Sequence, residues 1–410
     1  MKFIHTADWH LGNTFHGHDR ETEGRHFLNW LVDVIRLHAP DALLVTGDVF
    51  DSSNPPASAE ALYYEFLRAA CDTLPGLQVV VTAGNHDSPR RIEAPAPLLG
   101  LHDITVRGTV PQSADGTPDI ASLCIPLRLR EAGETACYCW ALPFLRAGDA
   151  PNGANGAEAL SWFYDGFLRA MNKSGRRRVP CIATGHFYTA GAEICANEHS
   201  ERLVVGGSEC VNVNVLSDAF SYIALGHIHK AQCVSNRPAA YYAGSALPMS
   251  FSEKRYEHGV NLVEIGAEGQ TRVTRLPYTP LRSLISIPQN GAASPDAVRY
   301  ETAKLPERKP GDDGRTWPYL EIRVVQEQPE PELMADISHI LSQKAVHFCR
   351  MTAERHDTDE REPELTVERL KDLTPLDMAQ RVYKEQYGDY LPEPMETRLR
   401  ATLEEVAAEG

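Results

Sequence analysis

The 410-residue chain has no long apolar run, no CxxC pair and no excess of positive charge. The first absence excludes a membrane-spanning helix, which needs about 20 consecutive apolar residues. The nine cysteines are an odd set without the regular spacing of a disulfide framework. The nearest pair, Cys137 and Cys139, sits on an apparent strand and is expected to face opposite sides. The start, MKFIHTADWH, runs straight into an expected strand, so no cleavable leader is expected. A reduced, cytoplasmic chain with no membrane association is therefore expected. The net charge of −16 argues against a broad basic face for nucleic acid. Its distribution softens that objection, because residues 351–410 hold sixteen acidic and eight basic side chains, about half of the excess. Basic clusters remain at Arg90/Arg91, Arg128/Arg130, Arg176/Arg177/Arg178 and Lys254/Arg255, although such clusters are usually solvated surface.

What is present is a repeated local pattern. Five short apolar runs end in turns rich in metal-ligating side chains: TADWH (Asp8, His10), TGDVFD (Asp48, Asp51), AGNHD (Asn85, His86, Asp87), TGHF (His186) and LGHIH (His227, His229). Strand ends are rigid platforms from which separate chain segments aim ligands at one point. Gly47, Gly84, Gly185 and Gly226 immediately precede ligand candidates, as turns with positive φ or with a backbone pressed close to an ion require. A mixed set of carboxylate, amide and imidazole suits Mn²⁺, Fe²⁺ or Zn²⁺ better than Ca²⁺. The turns contain no thiolate, which argues against a structural zinc knot. About eight candidates exceed what one ion takes, which points to two ions sharing a carboxylate.

Within those turns the residues are not equivalent. Asp51, three residues past Asp48, either binds metal or orients an imidazole. Asp87 is expected to stabilise its own turn. His86 directly follows Asn85, so it points away from an ion held by Asn85 and is placed to steady a phosphate or protonate a leaving oxygen. His5 lies inside the first strand and reads as structural. His16 and His18, with no strand before them, read as loop residues near the substrate mouth.

The remaining sequence alternates strands and helices. Phe3 to Thr6, a helix with Phe27, Trp30, Leu31, Val34 and Ile35 on one face, and a strand from Ala42 form a β-α-β unit. A helix over 57–71 and a strand ending at Thr82 repeat it, giving a layered α/β core. A helix at 160–171 and a strand CIAT lead to His186, and further strands are expected at 211–215, 222–225, 241–243 and 260–265, with the core closing near Tyr278. A strand at 319–325, a helix at 331–341 and a strand at 345–351 form a small α+β unit. Beyond the charged linker ERHDTDERE, Thr374-Pro375-Leu376-Asp377 opens a capped helix, and Met395, Leu399, Leu403 and Val406 form the stripe of a second. Two such short helices need a surface to dock on.

The order DxH, GDxxD, GNHD, GH and GHxH resembles the calcineurin-like metallophosphoesterase superfamily. The stretches IHTADWHLG, TGDVFDSSNPP, TAGNHDSP, ALGHIHKAQ and YYAGSALPMSFSE are similar to the nuclease subunits of bacterial SbcCD complexes, relatives of the archaeal and eukaryotic Mre nucleases. The likeness is specific over roughly the first 280 residues. It implies a layered α/β core of two mixed sheets flanked by helices, a small α+β cap and a helical tail. Residues 1–278 would be the nuclease domain, 279–352 a DNA-binding cap and 353–410 a linker with a partner-binding helical segment. Asp8, His10 and His229 would hold one Mn²⁺, and Asn85, His186 and His227 the other, with Asp48 as the bridge. His86 would contact the scissile phosphate, and Asp51 would orient that ring. Ala231 stands where the family often has proline, which alters a loop contour and no ligand. The implied activity is exonuclease on duplex ends and endonuclease on single strands and hairpins, in DNA repair and recombination. The implied assembly is a homodimer within a heterotetramer, joined to an SbcC-type ATPase through the C-terminal helices. A small-molecule or nucleotide phosphoesterase shares the ligand set, and a DNA-end tethering role is the non-catalytic alternative.

Overall fold

The computed structural model describes residues 1–154, 156–174, 179–193, 211–212, 215–236, 238–326 and 330–354, with 392, 395, 396 and 398. The chain divides into two compact units, Met1–Glu354 and Arg355–Gly410, and the strands and helices named below all belong to the first. The tail helices and the Arg176/Arg177/Arg178 cluster fall outside the described residues, apart from the isolated positions just given.

Strand β1 (Lys2–Thr6) leads through a short ribbon, β2 (Thr14–Phe15) and β3 (His18–Asp19), into helix α1 (Glu21–His38) and strand β4 (Ala42–Thr46). Helix α2 (Ala57–Thr73), β5 (Gln78–Thr82), two short helices α3 (Pro89–Glu93) and α4 (Ala96–Leu99), and β6 (Ile104–Arg107) follow. Next come β7 (Cys124–Arg128), β8 (Thr135–Trp140), α5 (Gly156–Ser174), β9 (Cys181–His186) and β10 (Tyr222–Gly226). The chain continues with β11 (Gln232–Asn236), β12 (Ala239–Tyr242), β13 (Gly259–Ile265) and β14 (Thr271–Pro277).

These strands form two mixed sheets, ordered β14-β13-β1-β4-β5-β6 and β11-β12-β10-β9-β8-β7. In the first, β1, β4, β5 and β6 run parallel while β13 is antiparallel to β1. In the second, β8, β9, β10 and β12 run parallel. The period-two alternation of a strand sorts their side chains into layers. Ala42, Leu44 and Val80 face an inner layer with Ile182, Tyr222 and Ala224, whereas Leu43, Val45, Val79 and Val81 face outward onto α1 and α2. On the outside of the second sheet, Phe163, Tyr164 and Phe167 of α5 cover Trp140, Ala183 and Ile223. Strands buried on both faces read as continuous apolar runs. Burying a side chain such as Phe27 or Leu31 contributes about 1.5–3 kcal/mol, more than the roughly 1 kcal/mol cost of Gly24 inside α1. A Cβ at Gly24 would lie 3.3 Å from a Leu11 methyl, a tight contact in the packed interface.

A third, three-stranded parallel sheet is built from β15 (Leu284–Ile287), β16 (Tyr319–Val325) and β17 (His347–Glu354). Helices α6 (Pro295–Ala303) and α7 (Leu333–Leu341) cross over between its strands and close a separate apolar cluster around Val298, Ile322, Leu333 and Ile337. Strand β15 and helix α6 were not anticipated from sequence. The signal for α6 was there, because Ser294 caps it and Pro295 stands at its first turn. Strand β14 was likewise missed, because its exposed, alternating face lacks a strong apolar pattern. The expected strand at 211–215 reduces to a single bridge between Thr189 and Val211 among the described residues. Cys137 and Cys139 both face the inner layer, contrary to expectation, because residues two apart on a strand share a face. Both are free thiols. No helix of the described residues is long and apolar enough to cross a membrane.

Candidate metal centre

All five ligand-bearing turns lie at the C-terminal ends of parallel strands, β1, β4 and β5 of one sheet and β9 and β10 of the other. The turns are laced together by main chain: Asp8 N–H donates to the Gly47 carbonyl at 3.1 Å and His10 N–H to the Asp48 carbonyl at 3.0 Å. Asp8, His10, Asp48 and His227 all adopt positive φ, between 46° and 96°, a costly conformation for residues with a side chain. Strain concentrated on candidate ligands is what a site held by its surroundings looks like. Gly47, at φ +92°, cannot carry a side chain, since a Cβ there would lie 2.1 Å from His186 Nδ1.

The side chains form overlapping groups able to hold a metal ion: Asp8, His10 and His229; His10, Asp48 and His86; and Asp48, His186 and His227. His10 joins the first group to the second, and Asp48 joins the second to the third. Its Oδ2 lies 3.2 Å from His186 Nε2 and 3.9 Å from His10 Nε2, while Oδ1 accepts the His86 N–H at 2.8 Å. Asn85 adjoins the third group, with its Oδ1 3.0 Å from His186 Nε2 and 3.1 Å from His227 Nδ1. Asp8 accepts the His227 N–H on both oxygens, at 3.0 and 3.1 Å.

The donor chemistry fits divalent cations. His186 Nδ1 must donate to the Thr46 carbonyl at 2.9 Å, so its Nε2 faces two oxygen acceptors, Asp48 Oδ2 and Asn85 Oδ1. Such an arrangement calls for positive charge between them. Burial would depress His186, but the Asp48 carboxylate outweighs it and holds the imidazole up at about 9. Burial pushes Asp48 up, yet His186 beside it and their hydrogen bond hold it well below the carboxylate range. Burial raises Asp8, and burial followed by the nearby His186 charge drives His227 down to about 3. The Asp51 carboxylate lies 3.2 Å from His10 Nδ1, while the buried His10 Nε2 has no hydrogen-bond partner among the described residues, an expensive state that an ion would relieve.

The remaining candidates separate. Asp51 meets His86 through its backbone carbonyl, which accepts from Nδ1 at 2.7 Å, whereas its carboxylate lies 3.2 Å from His10 Nδ1 and accepts from Asn13 Nδ2 at 3.0 Å. The carbonyl can only accept, so the His86 proton sits on Nδ1 and Nε2 is left to exchange protons. Asp87 belongs to none of these groups, and its carboxylate accepts from the N–H groups of Gly84, Val49 and Phe50. His5 is structural, buried between Tyr222 and Thr46. His16 packs beside Phe251, and His18 Nε2 lies 3.0 Å from the Phe348 carbonyl of β17. Sequence reasoning missed Glu253, whose carboxylate lies 3.1 Å from His229 Nδ1. The only trace of it was the glutamate ending YYAGSALPMSFSE.

Residues 1–231 match the family described as calcineurin-like phosphoesterase, and residues 280–387 match the type 5 capsule protein repressor C-terminal domain. The chain is 34% identical over 367 residues to the SbcD subunit of the SbcCD nuclease of Rhodobacter capsulatus, covering 87% of this chain and 88% of that one. It is 28% identical over 424 residues to the protein of the same name from Escherichia coli K12, covering 100% and 99%. The Bacillus subtilis relative is 36% identical over 276 residues, covering 64% and 66%. This chain belongs to the calcineurin-like phosphoesterases and, within them, to the SbcD nucleases of SbcCD complexes.

Proposed function

We propose that this chain is the metal-dependent nuclease component of a DNA-processing complex, cutting phosphodiesters at the site built around Asp48. The supporting observation is the position of Asp48 Oδ2, between His186 Nε2 at 3.2 Å and His10 Nε2 at 3.9 Å. One carboxylate oxygen placed between two donor sets is the arrangement that two cations require. In this reading Asp8, His10 and His229 would hold one ion and Asn85, His186 and His227 the other, with Asp48 shared between the two sets; Mn²⁺ suits the oxygen and imidazole donors. When bound, the ions acidify the attacking water and offset the charge of the phosphodiester.

The protein's own groups do the rest. Asp51 meets His10 through its carboxylate and His86 through its carbonyl, so His86 keeps its Nδ1 proton, and Nε2, once it has taken up a second proton from solvent, gives that proton to the leaving oxygen. Residues 1–278 form the nuclease domain and 279–352 the DNA-binding cap. Residues 353–410, acidic and helical in pattern, dock on an SbcC-type ATPase, with two nuclease chains in a heterotetramer in the cytoplasm. The match of residues 280–387 to a C-terminal domain family supports that partner role.

The test is cleavage of end-labelled duplex and hairpin DNA by the purified chain, with and without the ATPase, in Mn²⁺ or Mg²⁺. Discrete DNA products whose yield falls steeply with salt support the nuclease. Hydrolysis of small phosphodiesters with intact DNA would point to a nucleotide phosphoesterase. Retention of DNA ends without cleavage would point to tethering.

A further inference from the structure

We infer that Glu253 is a positioning residue for His229, and that it holds this imidazole in the tautomer that presents Nε2 to Asp8 and His10. The inference rests on reading those three residues as ligands of one ion. Glu253 is buried, at 2% exposure, and both of its oxygens are engaged. Oε1 lies 3.1 Å from His229 Nδ1, and Oε2 accepts the Met249 N–H at 2.8 Å. A carboxylate has no proton to give here, so Nδ1 of His229 carries one and Nε2 keeps its lone pair. His229 forms a group with Asp8 and His10, and with Nδ1 engaged by Glu253 its Nε2 is the nitrogen left to meet an ion there.

The turn bearing Glu253 is itself gripped from two sides. Phe251, two residues earlier and also 2% exposed, packs against Phe15 of the β2–β3 ribbon with ring centroids 5.3 Å apart. Phe15 in turn lies 4.9 Å from Tyr319 of β16, and Arg350 of β17 sits over the Phe251 ring at 5.5 Å. The turn that orients His229 is thus clamped by the third sheet.

Glu253→Gln tests this, because an amide of the same shape offers one acceptor where the site needs two. If its oxygen serves the Met249 N–H, its NH₂ faces His229 and moves the proton to Nε2, where it blocks the lone pair. Isothermal titration with Mn²⁺ should then show one ion bound at least tenfold more weakly, with the other unchanged, a shift within the range of about 10–100-fold seen when such partners are lost. The ¹⁵N chemical shifts of His229 in the metal-free wild type should report the Nδ1–H tautomer, and the variant should report Nε2–H. Wild type in the Nε2–H tautomer overturns the inference whether or not the variant folds. Two ions bound by the variant with wild-type affinities also overturn it. If wild type itself takes up no second ion, the ligand reading fails instead.

Discussion

Asp87 accepts the backbone N–H of Phe50 at 2.9 Å, so the turn carrying Asn85 and the turn carrying Asp48 share one buried carboxylate. Its other oxygen accepts from Gly84 at 2.8 Å and Val49 at 3.2 Å. Burial first, and the Asp48 charge second, lift Asp87 to about 6 against the pull of these three N–H groups. Replacing it with alanine strands three buried donors, each costing about 1–3 kcal/mol. Asp87→Ala should therefore lose about 3 kcal/mol or more in urea unfolding of the metal-free protein. An unchanged midpoint would show that the two loops hold together without it.

His86→Ala separates a proton donor from a ligand. Because Nδ1 is committed to the Asp51 carbonyl, the expected result is Mn²⁺ binding within about threefold of wild type, and cleavage slowed by about 10²–10⁴. Loss of one ion from the titration would instead make His86 a ligand, in keeping with its place beside His10 and Asp48.

Gly84 is required by proximity. A Cβ there would stand 2.1 Å from Asp48 Oδ1 and 2.3 Å from the Asp48 nitrogen. Gly84→Ala must displace the shared carboxylate, so both ions should bind at least about tenfold more weakly. Undiminished Mn²⁺ stoichiometry and affinity would mean that the turn can move aside.

His5 sets an acid limit on stability. Its Nδ1 lies 2.9 Å from the Tyr222 hydroxyl of the facing sheet and its Nε2 3.0 Å from Thr46 Oγ1. Burial, then the Arg275 charge, lowers it to about 3 from an ordinary value of 6.5. Above pH 6.5 the ring is neutral folded or unfolded, and its contribution is constant; as pH falls toward 3 the unfolded chain takes up the proton and stability drains away. Between pH 7 and 5 this amounts to about 2 kcal/mol. His5→Gln should lose that much less over the same interval in urea titrations. Parallel pH profiles for the two proteins would assign the acid limit to other groups.

The α/β layering and the six ligand candidates that gather with Asp48 are legible in the sequence. Each ligand turn is a local event, an apolar strand followed by glycine or alanine and then a polar cluster, and short-range pattern suffices to find it. Helix α1 was legible for the same reason, since Phe27, Leu31, Val34 and Ile35 repeat at helical spacing. Strands β14 and β15 were not, because a half-exposed or four-residue strand carries too few apolar positions to stand out.

What the sequence alone determined is therefore the set of chemical groups and the strand ends that carry them. Only the tertiary structure decided which group serves which: that Asp51 turns its carboxylate to His10 and its carbonyl to His86, that Asp87 joins two loops, and that Glu253 faces His229. Those pairings join residues brought together by the packing of two sheets and a third. Hydrogen bonds of that kind depend on distance and direction in space, and the spacing of residues along a chain contains neither.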